Sequence, residues 1–232
     1  CKQIVVGDDH QQLYRWRGAD NSIDGFIKKK NADVLIINKS FRFGSKTALL
    51  ATRLLDYKSK IAGCPPFPIE GNETIQDEIH EALPPSILQG KHTRLHRSVA
   101  GTIKTGLENI SKRIYWIGGL EKYNIQEILD IYHLYSNQKK NIKRKKIIYD
   151  YKTYKDYKLA ATSTGDPEMR RIVKIIDEHK DSIPSKVSAL RKNEVKDEKH
   201  AVMCIGTCHR SKGLEWPVVV IENDFRDLLD PE

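Results

Sequence analysis

Val5-Val6-Gly7-Asp8-Asp9-His10-Gln11-Gln12-Leu13-Tyr14-Arg15-Trp16-Arg17-Gly18-Ala19-Asp20 puts two kinds of chemistry on one short segment. The apolar run Ile4–Val6 breaks at Gly7 into a pair of aspartates, as a buried strand does where it ends at a nucleotide site. A few residues on, Tyr14 and Trp16 offer flat π-faces and Arg17 a guanidinium, groups suited to stacking unpaired bases and holding phosphate. Gln11 stands between the two. Its amide is placed to sense a terminal phosphate and pass that state to the stacking residues. Taken singly, each feature has a plainer reading: a turn at Gly7-Asp8, and packing for the aromatic pair.

Working outward, two further stretches carry chemistry. In Asn38-Lys39-Ser40-Phe41-Arg42-Phe43-Gly44 a ring stands beside an arginine between an expected strand and an expected helix. Phe41 suits stacking on a nucleotide base, and Arg42 suits a γ-phosphate, where a guanidinium stabilises charge developing on the transferred phosphoryl group. Gly44-Ser45-Lys46-Thr47 is not a phosphate loop, because the Gly-Lys-Ser/Thr order is broken. In Gly206-Thr207-Cys208-His209-Arg210-Ser211-Lys212-Gly213-Leu214-Glu215-Trp216-Pro217 a strand ends, polar residues and a glycine turn the chain, and an apolar run resumes at Val218.

Strand-like runs at Ile4–Val6, Val34–Ile37, Ile114–Ile117, Ala201–Ile205 and Val218–Ile221 alternate with helical patterns, which predicts an α/β fold on a parallel sheet. Helical stripes are expected at 45–57 (Leu49, Leu50, Leu54, Leu55) and at 123–135 (Ile125, Ile128, Leu129, Tyr132), both as core. Residues 61–85 read as a long surface connection. Asp166-Pro167 predicts an N-cap and first-turn proline, and a shorter helix starts at Pro184. Residues 137–158 hold nine Lys or Arg against two Asp. That is either a solvated face or a flange that touches a nucleic-acid backbone.

With 232 residues the chain has length for a substantial core. The net charge of +9 and pI near 9.2 favour a polyanionic partner, which charge alone does not identify. Four cysteines at irregular spacing suggest a reducing compartment. Cys204, Cys208 and His209 lack a second ligand pair at zinc-site spacing, so no metal site is expected. No apolar run approaches the ~20 residues needed to span a bilayer, so no membrane partner is expected.

These stretches, in this order, resemble motifs III, IV and V of the UvrD/Rep-like superfamily-1 DNA helicases. The His10-Gln11-Gln12 variant and Ser40-Phe41-Arg42-Phe43-Gly44 are most similar to the eukaryotic F-box DNA helicases. The likeness is weaker over 57–113 and 137–200. Arg94–Ala100 resembles, weakly, the family segment that approaches DNA after the next strand, with Arg97 the candidate. Ile117-Gly118-Gly119-Leu120-Glu121 resembles the segment leading toward the inserted subdomain, where the glycine pair permits tight backbone passage.

The resemblance implies a RecA-like parallel-sheet motor of the P-loop NTPase type with a small helical insertion. It implies the end of a first motor domain at 1–33, a second motor domain at 34–136 and 199–232, and the insertion at 137–198. It further implies ATP with Mg²⁺ as cofactor: Gln11 and Arg42 catalytic, and Gln11, Phe41, Arg42, Gly213 and Glu215 around the nucleotide, with Glu215 accepting a ribose hydroxyl. Tyr14, Trp16, Arg17, Arg97, Thr207 and His209 would contact DNA.

The expected function is ATP-dependent 3′-to-5′ translocation on single-stranded DNA and duplex unwinding, in the nucleus, in repair or recombination. Expected partners are single-stranded DNA and single/double-strand junctions, with ubiquitin-ligase components recruited through an F-box outside this chain. No Gly-x-x-x-x-Gly-Lys-Ser/Thr loop occurs in the chain, the one Asp-Glu-x-x-Asp string, at 177–181, ends the helical pattern that follows Pro167 instead of following a strand, and the chain starts at Cys1, so it reads as the middle of a motor, inactive alone, with the Mg²⁺ ligands elsewhere. The alternative is a non-catalytic single-strand-binding or scaffold protein that retains motor-like motifs. An RNA helicase is a weaker third reading.

Overall fold

The computed structural model describes residues 3–8, 10, 22–63 and 65–228. It divides into two compact units, Cys1–Glu81 and Ala82–Glu232. The first holds α1 (Ser22–Lys30) and α2 (Ser45–Ala62). The second holds α3 (Pro85–Gln89), β1 (His92–His96), α4 (Val99–Glu108), β2 (Ile114–Trp116), α5 (Ile125–Tyr135), α6 (Lys145–Asp150), α7 (Tyr154–Thr164), α8 (Pro167–His179), α9 (Ile183–Asn193), β3 (Met203–Thr207), α10 (Cys208–Ser211) and β4 (Val219–Ile221).

The second unit is α/β. Its four strands pair wholly in parallel in the order β2-β3-β1-β4, so the chain crosses over between every pair of neighbours. Strand β3, Met-Cys-Ile-Gly-Thr, is buried at all five positions, as an interior parallel strand must be when helices cover the sheet. Gly206 lets it pass Tyr123: a Cβ there would stand 2.9 Å from the Tyr123 hydroxyl and 2.8 Å from Ile117 Cβ. Tyr123 in turn donates its hydroxyl to the Ile117 carbonyl at 2.6 Å.

Helices α4 and α5 carry apolar faces at 3.6-residue spacing. Ile103, Leu107, Ile128 and Ile131 are buried in one core with Trp116 and with Ile175, Ile176 and Val187 of α8 and α9. The helices between 137 and 198 therefore pack directly onto the helices of the sheet. Their starts are capped as the residue types dictate. Thr153 and Asp156 close a capping box on α7, and the Asp166 carboxylate accepts the Glu168 and Met169 N–H groups ahead of Pro167. Edge-on ring pairs tie α7 to its neighbours: Tyr154 to Tyr135 of α5, and Tyr157 to Tyr151 just after α6.

Three expectations differ from the structure. Ile4–Val6 and Val34–Ile37 have no regular secondary structure and are exposed, Leu35 at 90 %. A strand exists by pairing, and among the described residues the first unit offers only the isolated bridge between Lys39 and Glu70. The α2 stripe is likewise not core: Leu49, Leu50 and Leu54 are exposed, with only Leu55 half-covered. Finally, the interior strand β1 lies where no strand was expected. His-Thr-Arg-Leu-His has no apolar run, and it is the crossover topology that buries His92, Thr93 and His96.

Candidate nucleotide and nucleic-acid interface

In the first unit, Ser40–Phe43 forms a bend before α2. The Arg42 N–H donates to Ser40 Oγ at 3.2 Å. The Phe41 ring is 75 % exposed and the Arg42 side chain is exposed. The segment is held from behind by residues 69–77. Ser40 N–H donates to the Glu70 carbonyl (2.8 Å), and Asn72 N–H donates to the Phe43 carbonyl (2.9 Å).

Gly44, the N-cap of α2, admits no side chain: a Cβ would collide with the Ile75 carbonyl and stand 2.6 Å from Asp77 Oδ1. The Asp77 carboxylate accepts the N–H groups of Lys46 (3.1 Å) and Thr47 (2.8 Å), capping the helix from 30 residues away. The Thr47 side chain, with these two N–H groups, holds the Asp77 carboxyl below its ordinary value. An exposed ring and guanidinium, on a bend packed closely at Gly44 and backed by a capping carboxylate, fit a nucleotide base and a phosphate. Gln11, Tyr14, Trp16 and Arg17 lie outside the described residues.

In the second unit, the candidates gather at the carboxyl ends of the parallel strands, where α/β sheets bind ligands. His96 pairs with Thr207 in register at the ends of β1 and β3. Arg97 follows β1 directly, half-buried, while His209 follows β3 on α10, exposed. Thr207 itself is 4 % exposed, so His209 is the one of this pair that offers surface. Gly213 has φ +83° with no neighbour within reach of an added Cβ, so the backbone turn is what calls for glycine there. Glu215 is exposed on the loop that leads into β4. The Gly118-Gly119 pair has φ +85° and +93°, so it is the left-handed backbone, more than close passage, that calls for glycine there.

Two residues that the sequence reading passed over hold this edge together. Asp224, just past β4, accepts the N–H groups of Arg97 (3.1 Å) and Ser98 (3.0 Å) and the Ser98 hydroxyl (2.9 Å). His96 Nδ1 stands 3.7 Å from the same carboxylate. Burial works against the charge on Asp224, yet His96, Arg97 and Ser98 outweigh it and hold the carboxyl well below its ordinary value. Gly101 makes room, since a Cβ there would come within 2.6 Å of Asp224 Oδ2.

Arg210 performs the corresponding task for the β3 loop. Its guanidinium lies 4.8 Å above the Tyr123 ring and donates to the Lys122 carbonyl at 2.8 Å. Among the described residues no cluster of three or more His, Cys, Asp or Glu is placed to hold a metal ion. Nor, among them, is any helix long and apolar enough to cross a membrane.

Two curated relatives align along almost the whole chain. F-box DNA helicase 1 of Gallus gallus is 29% identical over 98% of this chain and 22% of its own length. F-box DNA helicase protein 1 of Schizosaccharomyces pombe is 25% identical over 98% of this chain and 27% of its own length. The chain thus spans about a quarter of the length of the curated relatives it matches. No family model matches the chain, and no solved structure matches it.

Proposed function

We propose that this chain, related to the F-box DNA helicases along 98% of its length, works within a longer ATP-dependent motor that moves 3′ to 5′ on single-stranded DNA and unwinds duplex. The observation that carries this reading is that likeness, together with the gathering of Arg97, His209 and Gly213 around the carboxyl ends of a parallel sheet. A nuclear role in repair or recombination follows from the same kinship. So does the recruitment of ubiquitin-ligase components by an F-box elsewhere in the protein.

In this reading Phe41 stacks on the adenine and Arg42 reaches the γ-phosphate. Glu215 accepts a ribose hydroxyl and Gly213 lets the backbone approach phosphate. Hydrolysis of bound ATP, with Mg²⁺, supplies the free energy of movement. Gln11 reports the phosphate state to Tyr14, Trp16 and Arg17, which release and recapture bases as the motor opens and closes. Arg97 and His209 also contact the strand.

Trp16→Ala in the full-length protein is expected to weaken single-stranded DNA binding by about 1–3 kcal/mol, the cost of one stacking platform. Fluorescence anisotropy with a labelled oligonucleotide measures it. An unchanged affinity would remove Trp16 from the DNA path.

A further inference from the structure

We propose that residues 137–146, the turn after α5 and the start of α6, form a second contact surface for the phosphate backbone of a polynucleotide. The inference rests on the nucleic-acid reading above and extends it to a segment that none of the motifs includes. The segment, Asn-Gln-Lys-Lys-Asn-Ile-Lys-Arg-Lys-Lys, holds six cations and no acid.

What separates it from an ordinary solubilising run is how firmly it is held. Asp130 of α5 is 0 % exposed, and both its oxygens are spent on this segment: Oδ1 accepts the Lys143 N–H (3.0 Å) and Oδ2 the Arg144 N–H (3.0 Å). Gln126 Nε2 donates to Oδ1 as well, at 2.9 Å. Burying a carboxylate is costly unless it is fully hydrogen-bonded, and here the donors that satisfy it are the backbone of the basic turn. Ile142 and Ile147 anchor the two sides of that turn in the core, and Glu127 engages Arg144 at 2.8 Å.

The cations before and between these anchors are left outward. Lys139, Lys140, Lys143, Lys145 and Lys146 are all exposed. Among the described residues, none of them has a carboxylate within ion-pairing distance. At one end, Asn137, Gln138, Lys139, Lys140 and Asn141 line a shallow depression, so amide donors and ammonium groups surround one hollow. Ammonium groups carried on a backbone fixed in this way, beside such a hollow, fit successive phosphates, and the backbone loses little conformational entropy on binding.

The test compares two variants of the full-length protein. In one, Lys139, Lys140, Lys143, Lys145 and Lys146 are all changed to Gln. In the other, the same change is made at Lys112, Lys180, Lys192, Lys196 and Lys199. Binding of a single-stranded oligonucleotide and of a tailed duplex is measured as a function of salt, and ATP turnover is measured at saturating oligonucleotide. The first variant is expected to lose about 0.7–0.9 of salt-dependence slope for each lysine that touches phosphate, while the second changes little. Turnover at saturation is expected to persist in both. Equal slopes in the two variants, or a first variant with wild-type slope and affinity, would overturn the proposal while leaving the motor reading intact. A wild-type protein that neither binds the oligonucleotide nor hydrolyses ATP would overturn both.

Discussion

Arg42→Ala in the full-length protein is expected to lower single-strand-stimulated ATP turnover by about 10³-fold, the scale on which an arginine at the transferred phosphoryl group acts. The reason is local and electrostatic. In the transition state negative charge spreads over the γ-phosphoryl oxygens, and a guanidinium held in place beforehand meets it without reorganising. In the proposed function the Ser40–Gly44 bend supplies that placement, its backbone clasped by Glu70 and Asn72 and the helix that follows capped by Asp77. Single-stranded DNA affinity, measured in parallel, should stay near wild type, because the stacking residues lie on another segment. A selective loss of DNA affinity with turnover intact would move Arg42 from the nucleotide to the nucleic acid.

The second large effect is on stability. Asp224→Ala removes the acceptor shared by Arg97, Ser98 and His96, and leaves two N–H groups and a hydroxyl to find new partners in a mostly buried place. Breaking such a cluster from one side costs roughly 3 kcal/mol. Because the Asp224 carboxyl is held below its ordinary value of 3.8 in the folded chain, its contribution is fully present above that value. It is lost as pH falls from there through the lowered folded value. Urea unfolding of the wild type and the variant at neutral pH and near pH 3 measures both parts. The stability gap should be widest at neutral pH and shrink on acidification. A gap independent of pH would show that Asp224 acts through packing rather than through its charge.

How much of this was legible in the sequence depends on how far each cause acts along the chain. The α5 and α8 helices and the β3 and β4 strands announce themselves by periodicity or by unbroken apolar runs, which are local. Asp166-Pro167 announces the start of α8 for the same reason. β1 does not, since its polar residues are buried by neighbours about 110 positions later in the chain. The Leu49, Leu50 and Leu54 stripe misleads in the opposite direction, for an amphipathic pattern says that a face can be covered and not that it is. In the site, Phe41, Arg42, Gly213 and Glu215 could be picked out by type and position. The supports around the candidate residues, Asp77, Arg210 and Asp224, are ordinary charged residues whose partners are 30 to 128 residues away, so no local pattern marks them.

The central claim is that this segment couples ATP to single-stranded DNA. Its most direct test is the DNA dependence of ATP hydrolysis by the full-length protein, with and without Gln11→Ala. The account predicts turnover that rises steeply when single-stranded DNA is added, and a Gln11→Ala variant that still binds the strand but no longer responds to it. Tight single-strand binding by the wild type with no DNA-stimulated hydrolysis would contradict the account and leave a binding protein that keeps the shape of a motor without its reaction.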